Sequence, residues 1–423
     1  MTENTFTKTG INIKESSRPL DMGIKGILAL QHLIAMFGAT VLVPMLTGMD
    51  ASVALLSAGV GTLLFHFITK GKVPAFLGSS FAFIPVIIQV RELYNGDLSY
   101  AQGGIIVAGL IYVLMSFVIQ KIGVEKITKY LPHQVVGPMI IVIGLNLIPT
   151  AYDMASTHFL IAAITLATAL LITLKGRGFI KQLSILIAVV IGYMLSLKLN
   201  LVDTQVIKEA QLLAIPNFTL PKFSIGAISI IVPVVLAVFM EHIGDITTNG
   251  EVVGQNFMED PGLHRTLLGD GIATMFAGFV GGPANTTYGE NTGVLAITKN
   301  YDPSILRIAA VFAIILGFVA KIGGFLNTIP TSVMGGISLM LFSMISLVGV
   351  QTIKNNDVEF NIKNIIVMSS ILILGLGSGY IESAFGIAIG IPITETVKIT
   401  GLSFAAIIGV VLNIILNSNK IKD

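Results

Sequence analysis

Apolar runs recur along the chain from Gly26 to Asn417, most of them close to the roughly 20 residues that an α-helix needs to cross a bilayer. The pattern predicts an all-α polytopic membrane protein with fourteen segments, at approximately 24–45, 52–70, 74–90, 102–121, 131–150, 158–174, 180–198, 225–248, 264–281, 285–298, 304–326, 329–350, 363–380 and 399–417. The first segment follows a polar stretch, Met1 to Lys25, and lacks a small-residue cleavage site at its end. It therefore reads as a retained helix and not as a signal peptide.

Two segments break the pattern. The third reads Val73-Pro74-Ala75-Phe76-Leu77-Gly78-Ser79-Ser80-Phe81-Ala82, and the tenth runs Gly282-Pro283-Ala284-Asn285-Thr286-Thr287-Tyr288-Gly289-Glu290-Asn291-Thr292-Gly293. Irregular backbone at membrane depth is tolerated only where it is buried in protein or lines a cavity. A polar connection, Asn200 to Lys222, divides the chain into two sets of seven segments. Seven is odd, so the second set runs inverted relative to the first: a 7+7 inverted repeat whose third member is broken in each half. Paired interruptions of this kind point to a transporter's binding site. The small and β-prone residues there predict a short extended piece followed by a half-helix in segments 3 and 10. The two pieces could pair, and the half-helix N-termini would then offer free N–H groups to a ligand.

Composition excludes other classes. The 423 residues are 54% hydrophobic and 11% charged, with a mean hydropathy of +0.88, whereas soluble domains carry about 25% charged residues. The absence of cysteine rules out disulfides and thiolate metal sites. No P-loop or HExxH helix is present, the acids and histidines are too scattered for a metal cage, and no nucleophile–base pair suggests an enzyme. With the N-terminus in the cytoplasm, only Arg91, Lys198, Lys208, Lys222, Lys321 and Lys398 of the 25 Lys and Arg residues fall on the outer side. That bias matches the positive-inside rule and puts both termini in the cytoplasm.

His32, Glu241, His242, Asp245 and Glu290 are the ionisable side chains read as lying well inside apolar segments. An acid at the bilayer centre costs about 2.5–3.5 kcal/mol even on the mildest scales and marks pathways and relays, so Glu241 and Glu290 are assigned to function. Glu241 and Asp245, four apart, share one face of the eighth helix, and Gly244 between them reads as room for close packing. His242, about 100° round, faces a neighbouring helix. Gln31, His32 and His242 serve equally well as interhelical hydrogen-bonding groups, and Asp245 as a residue of the cytoplasmic rim. His66 and His133 read as interfacial. The weakly apolar stretch Ser383–Ile393, flanked by Glu382 and Glu395, reads as a re-entrant or surface helix.

Carboxylates, free N–H groups, small residues and two aromatics, Phe81 and Tyr288, with no embedded Lys or Arg, suit a flat neutral heterocycle bearing N–H donors and C=O acceptors. An organic anion would want a fixed cation. A buried carboxylate pair can also hold a proton, and each proton moving inward gains about 2.3 kcal/mol per 100 mV.

Gln31-His32-Leu33, the run Met36 to Pro44, Leu77 to Phe83, Glu241-His242-Ile243-Gly244, Asp260 to Arg265, Asn285 to Asn291 and Glu290 to Lys299 carry a likeness that covers almost the full chain. It resembles the nucleobase–ascorbate transporter family (nucleobase:cation symporter-2), in its bacterial uracil permease branch. The resemblance implies proton-symport import of a nucleobase, uracil first, across the plasma membrane, with no cofactor beyond the proton gradient and no nucleic-acid partner. It also implies a core domain (24–130 and 225–328), a gate domain (131–224 and 329–417), cytoplasmic tails (1–23 and 418–423) and a homodimer. By the same resemblance Glu241 binds ring N–H groups, and Glu290 binds substrate or tunes the site. Backbone at Phe81 and Gly289 contacts the base, while Ala39 and Tyr288 line the pocket. Asp245, His32, Gln31 and Asn291 join Glu241 and Glu290 in binding, proton coupling or support. One position departs: uracil carriers place a histidine four residues after the acid of the eighth helix, where this chain has Asp245, as the xanthine branch does. Xanthine or another oxopurine is thus the alternative substrate, and an anion exchanger or channel of similar fold the alternative of another class.

Overall fold

The computed structural model describes residues 22–123, 126, 131–386, 389–392 and 398–417. The tails 1–21 and 418–423, together with Glu395, lie outside the described residues. The main helices are α1 (Met22–Thr47), α2 (Ala51–Ile68), α3 (Ile84–Leu93), α4 (Ser99–Ile122), α5 (His133–Ser156), α6 (Phe159–Lys175) and α7 (Ser184–Lys198). After the long connection come α8 (Ile225–Val253), α9 (Leu263–Val280), α10 (Gly289–Thr298), α11 (Pro303–Gly317), α12 (Thr331–Asn355), α13 (Ile362–Phe385) and α14 (Gly401–Leu416). Among the described residues, seven helices are long and apolar enough to cross a membrane, or eight if α11 and the helix Ala320–Asn327 count as one bent span. The chain is a multi-pass helical membrane protein.

Two local expectations need correction. Segment 304–326 is not one helix: it bends by 76° between α11 and Ala320–Asn327. No proline marks the break, and the Phe318 carbonyl next to it accepts from the Ala214 N–H of the long connection at 3.0 Å. In the stretch 383–393, the described residues 383–386 and 389–392 do not form a helix of their own. Helix α13 runs on to Phe385, and Ile391–Pro392 forms a two-residue strand antiparallel to Lys398–Ile399.

Segments 3 and 10 each contain a three-residue strand, β1 (Leu77–Ser79) and β2 (Asn285–Thr287). They pair antiparallel with Leu77 opposite Thr287, Gly78 opposite Thr286 and Ser79 opposite Asn285. The ladder is extended by Ser80 N–H to the Ala284 carbonyl (2.8 Å) and Tyr288 N–H to the Phe76 carbonyl (2.9 Å). Outer-edge groups are satisfied by side chains, as a buried ladder requires. The Thr62 hydroxyl accepts from Leu77 N–H (2.9 Å), Thr274 donates to the Asn285 carbonyl (2.9 Å), and Tyr288 donates to the Ser79 carbonyl (2.8 Å). The Asn285 amide in turn donates to the Ser57 carbonyl at 3.0 Å. His66 is not interfacial: it is 2% exposed, and its Nε2 lies 2.9 Å from the Ala75 carbonyl just ahead of β1.

Packing sorts the helices into two sets. α2 packs on α9 and α11, α4 on α9 and the start of α8, and α1 on α11. In the other set α5 packs on α12 and α13, α6 on α7 and α12, and α13 on α14. Contacts between the sets run mainly through α1, α8 and α14. The long connection is fastened to the first set at one end of the molecule. Lys222 pairs with Asp97 at 2.8 Å and its N–H meets the Ser99 carbonyl at 2.9 Å. The Lys222 hydrogen bond holds the half-buried Asp97 carboxyl down at about 2.

Gly78 is the tightest point of the strand pair, because a Cβ there would overlap the Tyr288 ring and crowd the Thr40 hydroxyl. Gly78→Ala should lower the thermal midpoint of the purified protein, at an overpacking cost of about 1–3 kcal/mol. Gly26→Ala, whose Cβ meets nothing within 4 Å, should leave it in place. Equal midpoints in a thermal-shift assay would contradict the packing described.

Candidate functional site

Because the strands are antiparallel, the two half-helices begin at opposite ends of the pair. α3 follows a single 3₁₀ turn, Phe81–Phe83, and α10 follows Tyr288 directly. Neither start carries a side-chain cap: Ser80 and Tyr288 stand at the capping positions without bonding back to the helix. The first N–H groups of a helix have no partner within it, and both starts carry the partial positive charge of a helix N-terminus, although at α10 the Glu290 N–H is turned to its own carboxyl and Pro85 adds no donor at α3.

Facing them is α8. Glu241 and Asp245 both line a cavity of about 720 Å³, within the range of small-molecule sites. Glu241 is exposed only in the sense that this cavity reaches it, since it lies deep between helices. Asp245 is held by the Thr287 hydroxyl, which donates to Oδ2 at 3.2 Å. Gly289 is bare and exposed at the start of α10, with Asp245 Oδ1 4.0 Å from where its Cβ would stand. Phe81 completes this wall, and the opposite wall is apolar: Val136, Ile140 and Ile143 of α5 with Ile345 and Val348 of α12. The lining runs to one end of the molecule, marked by His133, Glu251, Asn355 and Asn356. Among the described residues, no Lys or Arg lines it.

Glu290 stands in the first turn of α10, half-buried, within electrostatic reach of Glu241, Asp245 and Tyr288. Other residues singled out from the sequence stand behind the wall. Tyr288 is 4% exposed and supports Gly78 and Ser79, while Ala39 is fully buried in α1. Asn291 donates to the His32 carbonyl and also lies 3.1 Å from His32 Nδ1, fastening α10 to α1. Gln31 is half-buried on the same helix, its Oε1 without a partner among the described residues.

Several readings change. Gly244 is not a packing contact: a Cβ there would meet nothing within 4 Å, and the residue lines the cavity. His133 is likewise part of the cavity rim. Asn249, unforeseen, donates to the Pro74 carbonyl and the Thr292 hydroxyl, both at 3.1 Å, tying α8 to the two broken segments. The sequence reading also passed over Asp270, 2% exposed in the middle of α9. The rule that flags intramembrane acids applies to it as fully as to Glu241.

Residues 25–384 match the model of a permease family, the nucleobase–ascorbate transporters whose motifs the chain resembles. The chain belongs to this family. It is a transporter, not an enzyme. It is 39% identical to the uracil permease of Bacillus subtilis, over 96% of this chain and 97% of that protein. To the uracil permease of Bacillus caldolyticus it is 42% identical over 92% and 91%, and to that of Escherichia coli 39% over 92% and 90%. Among solved structures it is similar to SLC26A9, with a TM-score of 0.68 and 13% identity over 94% of this chain and 65% of that one. The transmembrane domain of the cyanobacterial bicarbonate transporter BicA gives a TM-score of 0.62 and 14% identity over 87% and 98%. At such identities the likeness shows the fold alone.

The cysteine-free chain allows a direct check of the cavity. Gly244→Cys and Thr352→Cys, both on the lining, should react with a water-soluble maleimide in the purified protein, whereas Ala39→Cys, fully buried, should not. Equal labelling of all three would place the cavity elsewhere.

Proposed function

We propose that the chain imports uracil together with a proton across the cell membrane. The observation that carries this reading is the wall formed by Glu241 and Asp245 of α8 with Phe81 at the first half-helix start, beside Gly289 at the second, with no Lys or Arg among the described residues of the lining. Uracil presents ring N–H donors and C=O acceptors on one flat edge. Carboxylates take the first and backbone N–H groups the second, while Phe81 and the apolar wall of α5 and α12 cover the ring faces. Relatives of similar length that bear the name uracil permease support the same substrate. Likeness to anion transporters supports a shared architecture only, and an anion would find two carboxylates and no counter-charge at this wall.

The fourteen segments form a 7+7 inverted repeat in this reading. Helices α1–α4 and α8–α11 make the core (24–130 and 225–328), and α5–α7 with α12–α14 make the gate (131–224 and 329–417). Both termini lie in the cytoplasm by the positive-inside rule. The ends of α8 and α12 at Glu251 and Asn355 then face the cytoplasm, so the cavity is open inward. Two such chains pair as a homodimer. Glu241 binds the base, and Glu290, close behind, tunes the site.

Asp245 favours one second reading. A further carboxylate on the wall, fixed by Thr287, could take the additional N–H of a xanthine. Radiolabelled uracil should accumulate in proteoliposomes under an inward proton gradient, collapse with an uncoupler, and ignore excess xanthine. Absent uptake, or displacement by xanthine at lower concentration than by uracil, would assign the site to an oxopurine.

A further inference from the structure

A second cavity opens behind the apolar wall of the first. Near its end, α12 carries Val348, Thr352, Asn355 and Asn356 on the face toward the Glu241 cavity. Val350, Ile353, Lys354 and Asp357, on the turns between them, line a groove of about 630 Å³ against α13. α5 divides in the same way: Val136 and Ile140 face the cavity, and Pro138 faces the groove. The two helices meet backbone to backbone here. A Cβ on Gly349 would lie 2.6 Å from the Gly137 carbonyl, and one on Gly137 would lie 3.0 Å from the Gly349 carbonyl. The partition between cavity and groove is therefore thin and closed.

The groove has an apolar body and a charged mouth. Ile365, Met368 and Leu372 of α13 line it over about 10 Å of helix. Ser369, among them, gives its hydroxyl to the Ile365 carbonyl of its own helix and so adds no free donor. Val350, Phe360 and Ile365 are 47%, 72% and 45% exposed, an apolar rim of the kind that meets a membrane. Water does not fill an apolar space of this sort, whereas a lipid chain does.

At the mouth, Lys354 and Asp357 stand three residues apart, both exposed. Asp357 has a left-handed backbone, with φ 47°, and its N–H meets the Lys354 carbonyl at 3.3 Å, so the chain turns where α12 ends. Among the described residues neither side chain makes an ion pair. A cation and an anion at one mouth complement a headgroup that itself carries both signs. The Lys354 ammonium suits a phosphate, and the Asp357 carboxylate accepts from a primary ammonium. An anionic headgroup without an amine would gain Lys354 and be repelled by Asp357.

We propose that this groove binds one phospholipid with a primary-ammonium headgroup. Its acyl chain lies along α13, its phosphate meets Lys354 and its ammonium meets Asp357. The site goes beyond the transport reading and does not depend on it.

The chain contains no tryptophan, so a single introduced indole reports on the lipid beside it. Full-length protein carrying Ile365→Trp is reconstituted in equimolar phosphatidylethanolamine and phosphatidylglycerol, with quenching bromines on the acyl chains of one lipid or the other. Quenching should favour phosphatidylethanolamine by about two- to fivefold, the size of an exposed charge pair. Phe117→Trp, at a position 51% exposed on α4, should show no preference. Asp357→Asn in the Ile365→Trp protein should remove the preference, and Asp357→Lys should reverse it. With either brominated lipid diluted into a phosphate-free galactolipid, Lys354→Gln should lessen quenching at the groove. The same ratio at both reporters, a preference for phosphatidylglycerol, or indifference to the changes at Asp357 and Lys354 would overturn the assignment. So would a groove reporter that neither brominated lipid quenches, the result expected if a second copy of the chain covers it.

Discussion

The pairing of β1 with β2 is the constraint on which the other features of the site depend. Two segments stop being helix in the middle of an apolar protein, and each would leave several backbone groups without partners at a cost of several kcal/mol apiece in hydrocarbon. Facing each other, they satisfy one another, and the residues around them are chosen for what remains: Thr62, Thr274, Asn285 and Tyr288 each bond the backbone of the strand pair or its surroundings. Gly78 has no side chain because the Tyr288 ring occupies that space. The half-helices then begin where they do because the strands end where they do.

From that frame the chemistry of the wall follows. Helix starts without caps supply N–H groups, and α8, tied to both broken segments through Asn249, supplies carboxylates at a fixed distance from them. Thr287 orients Asp245 from within β2 itself, so the strand that creates one half-helix start also aims one acid. The opposing wall, on α5 and α12, contributes shape and apolar cover and almost no polarity. The polar groups and the apolar cover of the cavity thus lie on different helix sets.

Much of this was legible in the sequence, for a definite reason. Pro74, Gly78, Pro283 and Gly289 at membrane depth allow few backbone solutions, so the strand and half-helix character of segments 3 and 10 could be read from composition. Glu241 and Asp245 share a face because helical periodicity is rigid. The bend after Gly317 was not legible, because it depends on a contact with the connection near Ala214 and not on a local breaker. The roles of His66 and Gly244 were misread for a related reason: position along a segment does not tell which side meets protein, lipid or cavity. Asp270 was readable and was passed over, although it is an acid in the middle of an apolar run. Its pairing with His242 was not readable, since it depends on the rotation of α9 against α8.

The most direct test of the central claim is equilibrium binding of uracil to the purified protein, wild type beside Glu241→Gln, by titration calorimetry. Removing an acceptor that takes ring N–H as a charged group should cost about 1.5–3 kcal/mol, or roughly 10- to 150-fold in affinity, with the fold and thermal midpoint unchanged. Near-equal affinities would remove Glu241 from the site and with it the account of the wall facing β1 and β2.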